Sequence, residues 1–432
     1  HMNTTLSKLI PLVLLVGICL AACGQGSTEA KSDQARILEP QVPAGELQAL
    51  VSGNNTFALE LYQSLRTQDG NLLYSPYSIS LALAMTYGGA RGETETQMAQ
   101  TLHFDLPQEA LHAAFNQLDL ALEEKSEEDD GGNQPVQLDI ANAIWGQQDH
   151  PFLPEYLDLL ALNYGAGIHL SDFATQAEKT AEEINLWVSD QTHERIQDII
   201  QPNALGETTR LILVNAIYFN ADWNTPFDPE YTHLAPFYLL DGGESQVEMM
   251  FNHLELSYEA GSTSGGIGYQ VVRLPYTNRS LVMEILIPDQ GQFSAFEAAL
   301  DWQTLETILG GTHREDVLLN MPKFTFRSSF ALVGPLVSMG MLDAFDPILA
   351  DFSGMDGRQG LTISDVIHQA FVAVDEVGTE AAAVTVVEME TAEAPMEYEP
   401  IELTIDRPFI FLIRDLSSGQ ILFIGRVLNP AP

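Results

Sequence analysis

EVGTEAAAVTVVEMETAEAPMEYEP, residues 376–400, is the stretch on which the reading of this chain turns. Taken at a period of two, one face carries Thr379, Ala381, Ala383, Thr385, Val387, Met389 and Thr391. The other carries Glu380, Ala382, Val384, Val386, Glu388, Glu390 and Ala392. The first face bears no charge and begins with four small side chains, the alternation of a strand with one buried face. Apolar strand patterns flank the stretch at 370–374 and 408–413. Beyond Glu390 the composition turns to Ala, Glu and Pro, as in an exposed loop. A long, charge-poor strand former left outside a sheet is a liability that chains normally avoid. An edge strand followed by a mobile loop fits the pattern. So does a segment with two states, one exposed and one inserted into a sheet.

Composition narrows the function. The chain has 432 residues, 45% of them hydrophobic, enough for a large core in one domain or two. Lys and Arg number 18 against 60 Asp and Glu, a formal charge of −42. Such a surface argues against binding DNA, RNA or heparin-like polyanions and repels anionic lipid. Solubility or a salty medium explains the acidity more simply than a specific cationic partner. The two cysteines, Cys19 and Cys23, lie near the N-terminus, so the rest of the chain has no disulfide, thiol nucleophile or cysteine-ligated metal. No Gly-x-Ser-x-Gly or His-Glu-x-x-His motif occurs, and the ten histidines are scattered. Gly265-Gly266-Ile267-Gly268 leads into a strand rather than from strand to helix, so it reads as a turn and not a nucleotide loop. Neither catalysis nor a cofactor nor a bound metal is expected.

Along the chain, His1 before Met2 reads as a cloning remnant. After Lys8 the apolar run 9–20 is too short for a comfortable membrane span. It ends in Leu20-Ala21-Ala22-Cys23, which resembles a bacterial lipobox, with a plain signal peptide as the alternative. Residues 1–23 are thus expected to be a lipoprotein-type signal peptide that leaves lipid on Cys23. That anchor is the one membrane attachment expected, on an extracytoplasmic, bacterial cell-surface, membrane or secreted protein. Residues 24–48 have the composition of a flexible tether, and 49–432 read as one domain.

Apolar spacing predicts helices over 55–65, 107–124, 180–191, 293–309 and 332–339, and another from Ser75-Pro76 to Gly88-Gly89. Strands are expected over 138–145, 247–251, 268–274, 281–288 and 317–326. LILVNAIYF, 211–219, is a continuous apolar run, as in a central strand covered on both faces. Its lone Asn215 must find partners or cost about 1–3 kcal/mol. The acidic run 123–132 is expected to be a solvated loop.

Several motifs now share one explanation. ISDVIHQAFVAVDEVGTEAAA (363–383) resembles the hinge of a serpin, a serine protease inhibitor. DRPF (406–409) and GRVLNP (425–430) resemble the family's C-terminal signature. The stretch around Ser75-Pro76-Tyr77-Ser78, INLWVSDQTHERIQDII (184–200) and AFDPILADFSGM (344–355) are similar too, and the resemblance reaches back to about Gly53. It implies an α+β fold of three β-sheets with about nine helices and an exposed reactive-centre loop, 376–400. It implies hinge residues Glu376, Gly378, Thr379, Glu380, Ala381, Ala382, Ala383, Val384 and Thr385. Ser75 and Ser78 match the family's small polar residues under the main sheet, and Asn215 pairs with His368. Trp223 stands at the top of the sheet where the loop enters, and Lys323 pairs with Glu376.

The resemblance further implies suicide-substrate trapping. A serine protease, in some cases a cysteine protease, attacks the loop and forms an acyl-enzyme. The cut loop then inserts as a new central strand and drags the covalently bound protease with it. Counting from Gly378 places the scissile residue at Ala392, followed by Glu393. Counting back from Pro408 gives about Glu397, because the loop is about five residues longer than usual. Because the counts disagree, Met389, Thr391 and Met396 are candidates too. No Lys or Arg lies between Glu376 and Asp406, which favours elastase-, subtilisin- or chymotrypsin-like targets over trypsin-like ones. Where heparin-activated members carry a basic helix this chain is acidic, so no polyanion cofactor is expected. A monomer is expected. The rival readings are a non-inhibitory binding or chaperone-like protein of the same fold, and a decoy cleaved without trapping.

Overall fold

The computed structural model describes residues 28–127, 136–201, 203–379 and 399–431. The leader with Cys19 and Cys23 lies outside them, as do residues 128–132 of the acidic run and Glu380 to Tyr398 of the decisive stretch.

The chain runs through β1 (Thr28–Ala30), α1 (Ala44–Leu65), β2 (Leu72–Tyr74), α2 (Pro76–Tyr87), α3 (Gly92–Leu102) and α4 (Gln108–Glu127). It continues through β3 (Gln137–Gln147), α5 (Pro154–Tyr164), β4 (Ile168–Ser171), α6 (Ala177–Gln191), β5 (Leu211–Asp222), β6 (His233–Tyr238) and β7 (Glu244–Ser262). Then come β8 (Gly268–Pro275), β9 (Leu281–Pro288), α7 (Phe293–Ala299), α8 (Trp302–Gly311), β10 (His313–Pro322), β11 (Phe324–Ala331), α9 (Val333–Ser338) and the single turn α10 (Ser353–Asp356). Last are β12 (Asp365–Val374), β13 (Gly378–Thr379), β14 (Ile401–Thr404), β15 (Phe409–Asp415) and β16 (Ile421–Val427).

One sheet has the order β1-β4-β3-β5-β13-β12-β11, with β5 and β12 also paired directly. The other has the order β14-β10-β7-β8-β9-β15-β16-β2, with β6 on β7. The 19-residue β7 joins two leaves of this second sheet: its first part pairs β6 and its last part pairs β8. The expected three-sheet α+β architecture takes this form, with ten α-helices among the described residues.

The continuous apolar run of β5 is explained by burial on both faces. Leu211, Leu213, Ile217, Phe219 and Ala221 point into the main core. Ile212, Val214 and Ala216 point into a second cluster under α6, with Ile184, Val188 and Trp145. The helix beginning at Ser75-Pro76 forms as its residues dictate: Ser75 Oγ accepts the Ser78 amide at 3.1 Å and Pro76 occupies the first turn.

Three expectations need correcting. The helix expected over 293–309 is broken, because Leu300 leaves helical geometry and Asp301 caps a new helix by accepting the Thr304 amide at 2.8 Å. The strand expected over 317–326 divides at Lys323, where β10 and β11 pass into different sheets. The flexible tether 24–48 is not one over its described part. β1 pairs antiparallel with β4, and α1 begins at Ala44. Arg36 donates to Asn116 and Glu123, both at 2.8 Å, and to Asp119 at 2.6 Å. Composition measured only how little this segment buries itself. It missed the open edge of β4 and the acidic face of α4 that receive it.

Candidate functional site

The seam between β5 and β12 differs at its two ends. At the upper end β12 finishes at Val374 and the chain turns back through Asp375-Glu376-Val377. Asp375 Oδ1 accepts the amides of Val377 at 2.9 Å and Gly378 at 3.2 Å, which shapes the turn. Thr379 then pairs with Val374 of β12 on one side and with Ala221 of β5 on the other. Gly378 pairs with Asp222. A Cβ at position 378 would lie 2.1 Å from the Ala221 carbonyl oxygen, so this close approach requires glycine.

The turn is held by five residues from the connections that follow β5, β8 and β10. The Trp223 amide donates to Val377 O at 2.8 Å, and its indole Nε1 donates to Asp375 O at 3.0 Å. Trp223 stacks on Tyr276 with centroids 4.8 Å apart, and the Tyr276 hydroxyl lies 2.8 Å from Thr379 Oγ1. The Phe227 amide donates to Glu376 O at 2.8 Å, and Thr232 Oγ1 donates to the Glu376 carboxylate at 2.8 Å. Lys323 Nζ completes the set, 3.0 Å from Glu376. Burial alone would raise the Glu376 pKa, but the hydrogen bonds from Thr232 and Lys323 hold it below its usual value. Burial likewise opposes charge on Lys323, yet Glu376 holds its pKa above the ordinary value. Asp222 goes the other way: burial, then the charge of Asp375, raises its carboxyl.

Below this point the seam is shut. β5 and β12 pair directly and in parallel from Ile212 and Asp365 to Ile217 and Ala370. Asn215 faces His368 across this ladder and Asn142 of β3 across the other. His368 Nε2 accepts the Ser75 amide at 3.0 Å, so its proton is on Nδ1 and donates to Asn215 Oδ1. Asn215 Nδ2 donates to Ser78 Oγ at 2.6 Å and to Asn142 Oδ1. Ser78 Oγ donates to Asn142 Oδ1 at 3.1 Å. The network is buried, and burial lowers the His368 pKa to about 3, which keeps the ring neutral.

The two ends share one register. Carried down the seam two residues at a time, the β13 pairings define a line that would run between Phe219 and Val372, then between Ile217 and Ala370. The same line would continue between Asn215 and His368, and between Leu213 and Val366. Ile217–Ala370, Asn215–His368 and Leu213–Val366 are already direct partners in the closed seam. A strand continuing from Thr379 would therefore pass between existing partners, which need only move apart and not slide.

Comparison with known proteins identifies this arrangement. A family model described as serpin (serine protease inhibitor) matches residues 52–430. The chain belongs to the serpin family. It is 36% identical to an uncharacterized serpin-like protein of Thermococcus kodakarensis, over 99% of each chain. It is also 36% identical to the leukocyte elastase inhibitor A of Mus musculus, over 89% of this chain and all of that one. The native-state crystal structure of the thermophilic serpin tengpin superposes with a TM-score of 0.80, at 28% identity, covering 94% of this chain and all of that one. Serpins are a family of protease inhibitors and not of enzymes.

Of the residues singled out from sequence, Glu376, Gly378, Thr379, Trp223 and Lys323 meet at the upper end, and Ser75, Ser78, Asn215 and His368 meet at the closed part. Glu380, Ala381, Ala382, Ala383, Val384 and Thr385 lie outside the described residues. So do Met389, Thr391, Ala392, Glu393, Met396, Glu397 and Cys23. Asn142, Tyr276, Phe227 and Thr232 were not foreseen. Asn142 had a signal, a polar residue within the strand pattern on the face that must meet Asn215. Tyr276, Phe227 and Thr232 had none, since tertiary structure alone brings them to the hinge. Among the described residues no group of three or more His, Cys, Asp or Glu could hold a metal, and no helix is long and apolar enough to cross a membrane.

Proposed function

We propose that this serpin inhibits serine-type endopeptidases by suicide-substrate trapping, with insertion of its cut loop between β5 and β12. The observation that carries this reading is the docked hinge: Gly378 and Thr379 already lie between those strands, above a closed seam of matching register. Insertion adds a strand with a ladder on each side where one ladder stood, and buries the Thr, Ala and Val face of the loop. No bulky, charged or Pro residue stands among Thr379, Ala381, Ala383 and Thr385 to slow that step. Speed matters because deacylation competes with insertion.

The protease becomes a covalent partner of a monomeric inhibitor. Elastase-, subtilisin- or chymotrypsin-like enzymes suit the loop, which has no Lys or Arg, and the elastase-inhibitor name of the mouse relative points the same way. Ala392 is the scissile residue by the count from Gly378. Lipid on Cys23 anchors the protein outside the bacterial cytoplasm, and metabolic labelling with a radioactive fatty acid, lost in Cys23→Ser, tests this.

The deciding experiment is incubation with pancreatic elastase and with subtilisin, read on a denaturing gel. A band at the summed mass, resistant to boiling in detergent, supports trapping, and mass spectrometry of the released peptide places the scissile bond. Cleavage without such a band across a wider protease panel would favour a non-inhibitory binding protein or a decoy.

A further inference from the structure

The segment 342–349 shows large apolar side chains to solvent on a firm frame. Ile348 is 87% exposed, Leu349 57% and Leu342 54%. Asp346 Oδ1 accepts the amides of Ile348 at 2.7 Å and Leu349 at 3.1 Å, and Asp346 O accepts the Ala350 amide at 2.9 Å. Gln97 Oε1 of α3 accepts the amides of Leu342 at 3.0 Å and Asp343 at 2.8 Å. Ala344 is buried between them, and its carbonyl accepts the Ile363 amide at 3.1 Å and Thr362 Oγ1 at 3.0 Å. The turn is thus fixed by its own polar groups, and its apolar tip is left outside. Large apolar side chains grouped at one exposed place mark a contact surface.

The tip stands at the lower end of the sheet. The Ser364 amide donates to Leu211 O at 2.8 Å, and Asp365 pairs with Ile212 where β12 and β5 begin. Ile348 is four residues from Ala344, at most about 14 Å of chain. A strand continuing from Thr379 would leave the sheet at this end, since β13 runs antiparallel to both β5 and β12. We propose that the apolar tip of Leu342, Ile348 and Leu349 is a contact surface for the trapped protease, which rests on it once the cut loop has inserted. The proposal rests on the insertion proposed above and adds a docking surface to it. A protease domain of roughly 200 residues has a radius of gyration of about 16 Å, so one held at the end of an inserted strand reaches the tip. Its covalent tether also fills a contact too weak to form between free molecules. The matching surface on the protease is apolar. A second copy of this chain is the poorer occupant, because it brings another formal charge of −42 to the same place. Burying the tip favours a protease held against the serpin over one hanging free on the ester. The free one keeps the geometry to finish its reaction, in which water splits the ester into the loop's carboxylic acid and the protease's serine hydroxyl.

The test compares the full-length wild type with Ile348→Ser/Leu349→Ser, each in a preformed complex with elastase or subtilisin. The proposal predicts equal rates of complex formation, and release of active protease roughly tenfold faster from the variant. A second measurement locates the protease directly. A benzophenone maleimide is attached at Leu349→Cys, and in a separate protein at Leu234→Cys, with Cys19 and Cys23 replaced by serine in both. Leu234 is 70% exposed and follows Thr232, which bonds to the hinge, so it marks the opposite end of the sheet. Each complex is illuminated, and the ester is then hydrolysed with mild alkali. The proposal predicts a band at the summed mass that survives alkali with the probe at 349 and not with the probe at 234. Release at the wild-type rate from the double variant, or a band from 349 no stronger than that from 234, overturns the proposal while trapping stands. A wild type that forms no complex with any protease overturns trapping itself, and this proposal with it.

Discussion

The two halves of one seam differ in what fills them and not in how they are built. In the lower half, β5 and β12 hold each other through their own backbone and the His368–Asn215 bond. In the upper half, the same strands hold the first two residues of a hairpin, gripped by Trp223, Tyr276, Thr232 and Lys323. Since the register is common to both, the proposed insertion would need no sliding of the strands, and would cost the breaking of one ladder and one buried side-chain bond. Under the proposed insertion, the closed half would act as a stop that can be displaced, and the filled half as the start of the strand that displaces it.

The largest effect should come from blocking the first step. Thr379→Arg sets a long cation where Thr379 is buried against Tyr276. Covalent trapping should fall more than tenfold while cleavage continues, read as the ratio of complex to cut inhibitor on a gel. Unchanged trapping would break the comparison at its upper end. Next, Asn215→Ala removes the centre of the closed half, leaves His368 Nδ1–H without its partner and leaves Ser78 and Asn142 only each other, so the intact protein should lose about 3 kcal/mol by urea unfolding. A loss well under 1 kcal/mol would mean that the lower half is held by its ladder alone.

Acid should destabilise the fold through two buried rings, His368 in the closed half and His112 on α4. Burial lowers His368 to about 3 and His112 to about 4, against about 6.5 when unfolded. Both rings are neutral in the fold, and the unfolded chain takes up the protons first. Their contribution is therefore whole above pH ~6.5 and is lost as pH falls towards 4, by about 1.4 kcal/mol per pH unit for each ring. Glu376, held below its usual value, keeps its charge through most of that window. Urea titrations at a series of pH values between 7 and 5 read the slope, and a flat profile would contradict the buried, neutral His368. The smallest effect tests a place away from the seam. Arg36→Ala should cost about 1 kcal/mol through its contacts with Asp119 and Glu123, and leave the ratio of trapping to cleavage unchanged.

Much of this was legible in the sequence, for reasons that can be named. β5 declared itself because a strand covered on both faces has no polar side, and Asn215 stood out against that background. Gly378 and Thr379 marked a chain that enters a tight space beside β5. The resemblance to serpins supplied the pairings of Asn215 with His368 and of Lys323 with Glu376, which no local pattern contains. The closure of the seam could not be read, since the loop has the same residues inserted or exposed. Nor could the stacking of Trp223 on Tyr276, or the binding of the N-terminal segment to β4 and α4. Each depends on elements far apart in the chain whose surfaces only the folded core brings together.

The measurement that bears most directly on the account is to lock the seam. Ala216 and Gln369 face each other in the β5–β12 ladder, and Gln369 Oε1 has no hydrogen-bond partner to lose. Neighbouring strands lie about 4.8 Å apart, within disulfide range. The variant Ala216→Cys/Gln369→Cys, with Cys19 and Cys23 replaced by serine, is oxidised and offered to elastase or subtilisin. If insertion between β5 and β12 drives trapping, the locked protein is cleaved without forming a detergent-resistant complex, and the complex returns after reduction. A complex formed equally well with the seam locked would contradict it.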